Sequence, residues 1–408
     1  MQFRTMPGSN NKLSILGYGC MRLPTKFGGV IDKDKALSQI RGAIDRGVNY
    51  IDTAWPYHMG NSESFLGEHV LKDGYREKVK LATKLPCFTI RKTEAIRETF
   101  KKQLKKLQTD YIDYYLLHSL DGPTWDLMVS LGIIEFMNEV KVAGTVKNMG
   151  FSFHGKKADF MRICDGYDFD FAQVQFNIMD EQFQAGIEGI NYAAKKGMGI
   201  IAMEPLRGGS LVSKMPADVK KIYDESGYSR SAAEWALRWV WNNPNIQVVL
   251  SGMNVDEHID ENIKVASEVL PESMDAKEFE VINSVRKTYE SIMQVGCTGC
   301  SYCMPCPAKI NIPAAFSNLN EYHMYSKAGA RLHHAMHLGI QTDDGKPHWT
   351  TDCIDCGACE EKCPQNIPVR QVFKQVQNEL EGPSTKALAG VARIVLGTNR
   401  RKETGEEA

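Results

Sequence analysis

From residue 11 onward, short apolar runs alternate with longer amphipathic, charged segments. Eight runs read as strands: 13–20, 48–53, 79–84, 112–118, 146–152, 171–177, 198–204 and 246–251. Each is short, rich in β-branched or aromatic residues, and bounded by Gly, Pro, Asp or Asn. The segments between them carry helical spacing. From Thr93 to Leu107, the residues Ile96, Phe100, Leu104 and Leu107 recur at three- and four-residue intervals with lysines between them. Ser229 precedes Ser-Ala-Ala-Glu-Trp-Ala-Leu-Arg-Trp, a capped helix start whose cap position Tyr228–Arg230 leaves open. Trp235, Trp239 and Trp241 read as packing between that helix and the sheet. Eight strand–helix alternations over about 260 residues predict a closed parallel (β/α)₈ TIM barrel. An open doubly wound sheet is the alternative, but Gly17-Tyr-Gly19-Cys-Met-Arg22 lacks the third glycine of its phosphate-binding fingerprint.

Pro271 and the acidic stretch behind it end the barrel. A helix over about 276–293 is expected next, and Asn318–Leu338 is again helical in pattern. The division expected is a barrel over 1–275, a linking helix over 276–295, a small domain over 296–385 and a polar, fraying tail over 386–408. The 408 residues are 43% hydrophobic with a net charge of −1, which excludes a disordered chain and gives no reason to expect nucleic acid as partner. No window is long and apolar enough to predict a membrane helix, and Met-Gln-Phe-Arg-Thr has no apolar signal-peptide core.

The small domain is announced by cysteine. Eight of the eleven cysteines fall in two runs, Cys297-Thr-Gly-Cys300-Ser-Tyr-Cys303-Met-Pro-Cys306-Pro and Cys353-Ile-Asp-Cys356-Gly-Ala-Cys359-Glu-Glu-Lys-Cys363-Pro. Paired C-x-x-C is also zinc spacing, but a tight triplet followed by Cys-Pro serves an iron–sulfur cubane better than a tetrahedron around one ion. Disulfides between triplets this close would strain their loops. The runs resemble two-cluster [4Fe–4S] ferredoxins, which implies a small α+β ferredoxin-like iron-sulfur domain with crossed ligands. One cluster would take Cys297, Cys300, Cys303 and Cys363, the other Cys353, Cys356, Cys359 and Cys306. The first run has two residues before Cys306 where three are usual. Thiolates that must stay reduced, together with the missing signal peptide, point to the cytoplasm. Cys20, Cys87 and Cys164 are scattered and read as buried thiols.

In such a barrel the chemistry sits at the C-terminal ends of the strands. The second run ends at Asp52, with Thr-Ala-Trp-Pro-Tyr57 behind it; the third ends at Lys84 and the fourth at His118. A lysine ammonium favours a phenolate beside it, an aspartate would orient the lysine, and a histidine could bond a substrate oxygen. Asp52-Thr-Ala-x-x-Tyr57, Ala-Thr-Lys84 and Leu-Leu-His118, in order on successive strands, make the barrel similar to the aldo-keto reductases over roughly residues 1–270. The whole layout resembles a bacterial subgroup with a ferredoxin-like tail. The resemblance implies a catalytic tetrad of Asp52, Tyr57, Lys84 and His118, with Tyr57 as proton donor to a carbonyl compound, or acceptor from an alcohol.

It also implies an NAD or NADP site. Ser152 and Gln175 match the family's contacts to the nicotinamide carboxamide, although Phe153 stands where Asn is usual. Met203 takes the place of the usual stacking aromatic. Arg207, Gly208 and Gly209 could wrap the pyrophosphate, with Ser210 following. Past the last strand come Ser251, Gly252 and, at the adenine contact, Asn262. Gly252 and His258 stand where NADP-specific members carry Lys and Arg, so weak discrimination or a preference for NAD is expected.

Nicotinamide moves two electrons and each cubane one. A flavin would reconcile them, but no motif indicates one. Three functional readings stay open: a reductase whose clusters exchange electrons with a redox partner protein, an ordinary carbonyl reductase with purely structural clusters, and an electron carrier on a barrel scaffold. His333, His334 and His337 read as a solvated helix face or a cover over a cluster, since no carboxylate or cysteine adjoins them. Specificity is expected in the loops 22–30, 119–130 and 206–228, with Trp55 and Trp125 as an aromatic pocket wall for an apolar carbonyl compound.

Overall fold

A computed structural model describes residues 1–26, 29–213, 215–340, 342 and 346–403; from residue 394 the backbone alone is described. The barrel strands are β3 (Leu16–Gly19), β4 (Tyr50–Asp52), β5 (Lys80–Leu85), β6 (Ile112–Leu120), β7 (Val146–Phe153), β8 (Phe171–Gln175), β9 (Gly199–Met203) and β10 (Ile246–Ser251), after a short hairpin of β1 (Phe3–Thr5) and β2 (Lys12–Ser14). The eight close in chain order, with β10 beside β3 and the paired strands parallel. The closed barrel settles against the open sheet.

The run at 13–20 is two strands, not one. Lys12–Ser14 pairs antiparallel with Phe3–Thr5, and the chain turns at Ile15 before Leu16 enters the barrel. Asn49 holds that turn: its Oδ1 accepts from the Ser14 N–H at 2.8 Å, and its own N–H donates to Ser14 Oγ at 2.9 Å. An apolar run cannot reveal such a break, because both strands bury side chains. The hairpin carries Met6 into the barrel floor, where it joins Leu13, Tyr50, Tyr114, Phe171 and Val248. Gly199 makes room: a Cβ there would lie 1.9 Å from the Met6 sulfur.

The helix over Thr93–Leu107 forms where its spacing predicts, but buries Gln103 alongside Ile96, Phe100 and Leu107. The helix after residue 228 is Ala232–Trp241, and its cap is Ser231, not Ser229; the Ser231 side chain accepts from the Glu234 N–H at 3.0 Å. Trp235 and Trp241 are fully buried, and Trp241 Nε1 donates to the Ile15 carbonyl at 2.9 Å.

By contacts the chain divides into Met1–Arg207 with Ser229–Ile282, and Gly208–Tyr228 with Asn283–Ala408. A helix spans Ala276–Ile292. In the second unit the pattern at 318–338 resolves into Ile312–Met324 and Lys327–His334, because Ser326 caps the second helix by accepting from the Gly329 N–H at 3.1 Å. Further helices span Val369–Leu380 and Pro383–Glu403, so the expected fraying tail continues as helix; 404–408 lie outside the described residues. Where an α+β ferredoxin fold anticipates short strands, the described residues after Ser251 are helices and loops.

Buried Val295, Ile310, Phe316, Leu319, Phe373 and Val376 belong to this unit's core, and six of the eight run cysteines pack against it. The histidines do have carboxylate neighbours, brought by the fold from distant positions. His333 Nδ1 lies 2.8 Å from Glu321 Oε2, and buried His334 Nε2 lies 3.1 Å from Glu381 Oε1. Glu381 also accepts from the Thr350 N–H and hydroxyl at 2.7 and 2.8 Å, tying this pair to the chain just before Cys353.

Candidate active site

The four rim residues meet at the C-terminal ends of β4, β5 and β6. Lys84 Nζ donates to Asp52 Oδ1 at 2.6 Å and to the Thr53 carbonyl at 2.8 Å, and lies 3.5 Å from Tyr57 Oη. His118 presents its ring edge-on to Tyr57, centroids 6.1 Å apart. Asp52, Lys84 and His118 are all buried. Burial lifts the Asp52 carboxyl above its usual range and lowers the Lys84 ammonium, and each is opposed by the other's charge. Such a pair persists only because it is bonded; an isolated charge here would neutralise itself.

Burial holds His118 well below the ordinary imidazole value, and the charges of Lys84 and His154 push the same way. The unfolded chain binds a proton at this position below about pH 6.5 while the folded chain does not. Folding stability therefore falls as pH drops through that value, by up to about 1.4 kcal/mol per pH unit. Thermal melts between neutral and mildly acidic pH should show this slope, and His118→Asn should reduce it, leaving the share that burial of His154 and His58 contributes with the same sign. An unchanged slope in the variant would rule His118 out as its source.

Beneath Lys84 lies a polar network absent from the sequence reading. Glu63 is buried and accepts from Thr83 Oγ1 at 2.7 Å and Gln103 Nε2 at 2.6 Å. Gln103 Nε2 also reaches the Lys84 carbonyl at 3.0 Å, and Tyr115 donates to Gln103 Oε1 at 2.7 Å. The signal was present: Gln103 lies seven residues after Ile96, on the apolar stripe of its helix, where a polar side chain needs buried partners.

Ser152, Gln175, Met203 and Ser251 stand at or near the C-terminal ends of β7, β8, β9 and β10, on the same rim as the tetrad. Their side chains are already engaged. Ser152 Oγ accepts from the Ser119 N–H at 2.7 Å, Asn262 Nδ2 donates to Ser251 Oγ at 3.0 Å, and the Met203 sulfur is 3.5 Å from Gln173 Nε2. Gln175 Nε2 donates to Asp180 Oδ2 at 2.7 Å, and Gln175 Oε1 accepts from Gln184 at 3.3 Å. Asp180 is a hub the sequence reading missed, since it also takes Asn177 Nδ2 at 2.9 Å and Arg207 Nε at 3.1 Å. The turn at Arg207, Gly208 and Gly209 is left-handed throughout, at φ 50, 68 and 95, which accounts for the two glycines. A side chain at Gly252 would begin 3.4 Å from Arg22, so the missing lysine leaves a place beside an arginine.

Trp125 is no pocket wall: it is 4% exposed and packs on Phe169 at 5.9 Å. Trp55 lies under Lys106 Nζ, 3.9 Å from its ring centre. Among the described residues Phe88, 41% exposed, sets its ring 5.6 Å from that of His118. In the loop 22–30, Phe27 and Gly28 lie outside the described residues, as does Lys214 in 206–228.

In the second unit the cysteines ring two cavities. One is lined by Cys297, Cys300, Cys303 and Cys363, the other by Cys306, Cys353, Cys356 and Cys359, with Cys303 touching both. Burial, then proximity to Cys300, Cys297 and Cys363, pushes the Cys303 thiol up to about 12. Such crowding disfavours thiolates unless cations sit among them. Among the described residues no three His, Cys, Asp or Glu side chains are set to hold one metal ion. No helix among them is long and apolar enough to cross a membrane.

Residues 15–284 match the Aldo/keto reductase family and residues 296–367 a 4Fe-4S dicluster domain. The chain is 28% identical over 295 residues to the uncharacterized oxidoreductase YqkF of Bacillus subtilis, covering 65% of this chain and 92% of that one. It is 24% identical over 316 residues to L-galactose dehydrogenase of Arabidopsis thaliana, covering 72% and 96%. Among solved structures, the holo form of an aldo-keto reductase from Bacillus halodurans superposes with a TM-score of 0.58 at 25% identity, over 70% of this chain and 96% of that one. An aldo/keto reductase from Klebsiella pneumoniae, in complex with NADP and acetate, shares the fold at 22% identity and a TM-score of 0.57, over 69% and 94%. With its barrel matched over most of its length, this chain belongs to the aldo/keto reductase family and carries a 4Fe-4S dicluster domain behind the barrel.

Proposed function

We propose that the protein reduces a carbonyl compound to an alcohol, or runs the reverse reaction, with a nicotinamide cofactor, and that Tyr57 is its general acid and base. The observation that carries this is the approach of Lys84 Nζ to Tyr57 Oη at 3.5 Å while Asp52 holds the ammonium at 2.6 Å. A bound nicotinamide supplies the hydride to the carbonyl carbon. As charge grows on the carbonyl oxygen, Tyr57 gives it a proton, and the ammonium of Lys84 stabilises the phenolate left behind. The phenol regains its proton from water before the next turnover. Neutral His118 can donate a hydrogen bond to the same oxygen without placing a second cation beside Lys84. Phe88 beside it favours an apolar or aromatic group on the substrate.

Ser152, Gln175 and Met203 would face the nicotinamide, with Ser251, Gly252 and Asn262 on the adenosine side. Because Gln175 is tied to Asp180 and Gln184, a carboxamide at that position must compete with partners already present. The relative from Klebsiella was crystallised with NADP. Here Gly252 and His258 replace the Lys and Arg that would reward a 2′-phosphate, so NAD should bind at least as tightly as NADP. Fluorescence titration of both cofactors checks this, and NADP binding tighter by about a hundredfold, a difference of about 2.7 kcal/mol, would overturn it.

The two cysteine rings would each hold one [4Fe–4S] cluster, which stores a single electron. Their packing against the core of their own unit supports a bracing role as well. Thiolates of this kind fit a reducing compartment such as the cytoplasm. An anaerobic preparation should contain roughly eight iron atoms per chain and oxidise NADH or NADPH in the presence of an aromatic aldehyde. Mass spectrometry of the released cofactors decides whether a flavin accompanies them. Reductase rates before and after cluster removal separate electron-transferring clusters from structural ones.

A further inference from the structure

Tyr57 is followed by three residues in left-handed backbone, His58 at φ 51, Met59 at φ 54 and Gly60 at φ 84. Only the last is glycine, so His58 and Met59 hold a conformation that crowds a Cβ against the following carbonyl. Met59 is 92% exposed. His58 is half-buried, and its Nε2 accepts from the Leu23 backbone N–H at 3.1 Å. Leu23 is buried and follows the turn Cys20–Arg22 at the end of β3. A second tie joins the same two segments: Ser62 Oγ donates to the Cys20 carbonyl at 3.5 Å and lies 2.9 Å from Thr53 Oγ1. Cys20 is fully buried, close enough to Asp52 and Lys84 for their charges to act on its thiol.

We propose that His58 is a positioning residue for Tyr57: by bonding its ring to Leu23, it locks the loop that carries the phenol onto the neighbouring loop of the rim. The proposal rests on Tyr57 being the proton donor. Its geometric warrant is the margin at Lys84. The Tyr57 backbone is held by its own turn, through Ala54 at 3.1 Å, Gly60 at 3.1 Å and Ser62 at 3.2 Å, all within the loop itself. The phenol reaches Lys84 at 3.5 Å, the outer limit of a hydrogen bond, so a small swing of the whole loop would break it. His58, the next residue, anchors the loop to something outside it. The acceptor role requires a neutral ring, and burial, the largest influence on His58, lowers its proton affinity against a hydrogen bond to the Cys20 backbone that raises it.

Two substitutions separate side chain from backbone. His58→Gly relieves the left-handed conformation and deletes the acceptor; His58→Gln restores an acceptor oxygen at similar reach while keeping the backbone cost. The full-length holoprotein, both variants and Tyr57→Phe would be assayed with 4-nitrobenzaldehyde and NADH or NADPH. Tyrosinate formation would be followed by difference absorbance, wild type minus Tyr57→Phe, a readout that needs no substrate. His58→Gly should lose about tenfold to a hundredfold in kcat, with the KM for the cofactor and the melting temperature held, and Tyr57 should ionise at higher pH. His58→Gln should recover most of the turnover and the titration. An unmoved Tyr57 titration or wild-type turnover in His58→Gly, or His58→Gln as impaired as His58→Gly, overturns the role of His58. Wild-type turnover in Tyr57→Phe removes the proton-donor reading, and the positioning role with it; an inactive Tyr57→Phe beside a fully active His58→Gly removes only the latter.

Discussion

Tyr57→Phe is expected to lower kcat for carbonyl reduction by about 10²- to 10⁴-fold, the usual worth of a positioned general acid. The fold should be untouched. The hydroxyl is the only group removed, and its neighbour Lys84 keeps its bonds to Asp52 and Thr53. Cofactor binding should therefore change little, so that the loss appears in kcat and not in the affinity for NADH or NADPH. Lys84→Met is the contrasting variant. It should match the loss of turnover and also cost about 3–5 kcal/mol of stability, because it leaves the Asp52 carboxylate buried and uncompensated. Adding Asp52→Asn should return part of that stability without returning activity. A Tyr57→Phe enzyme within a few-fold of wild type would mean that another group protonates the substrate. Water reaching the site past Phe88 would be the first place to look.

Removing iron is expected to have the largest structural effect. Chelation of the anaerobic protein should melt the helices of residues 283–403 that pack on the cysteine core. That core is small, and six run cysteines are packed against it, so clusters held there would be coupled to folding. Far-ultraviolet dichroism should lose helix, and limited proteolysis should cut after about Val295 while sparing the barrel strands. Single cysteines should grade the effect. Cys303→Ala touches both cavities and should cost more iron than Cys356→Ala at the exposed edge of one. Helix content and protease resistance that survive complete iron loss would show that the core stands by itself and that the clusters brace nothing.

Three of the four rim residues were legible because each closes a recognisable run. Asp52, Lys84 and His118 are polar residues at the far ends of short β-rich segments, and a parallel barrel gathers such ends on one rim. The two cysteine runs were legible from spacing, and the cavities they line, one by four cysteines and the other by five with Cys303 in both, each draw on both runs. Other features were hidden. Nothing local in Asn177-Ile-Met-Asp180 shows that its carboxylate will hold Gln175 and Arg207, since Arg207 is 27 residues away. The carboxylates that meet His333 and His334 come from 12 and 47 residues off. Trp125 looked like a pocket wall because it follows His118 closely in the chain, yet the helix Gly122–Ser130 that carries it turns it against Phe169.

What the sequence determined by itself was therefore periodic or spaced: the strands and helices, the closed alternation, the tetrad types and the two cysteine runs. Tertiary structure decided which groups were satisfied, and by whom. It set Lys84 within reach of the phenol, filled the amide of Gln175, put Glu63 under the site and made His58 a tie between loops. The physical reason is that periodicity reports the environment of a face, averaged over neighbours. A buried hydrogen bond depends on one partner at one distance, and closure of the barrel brings that partner from anywhere in the chain.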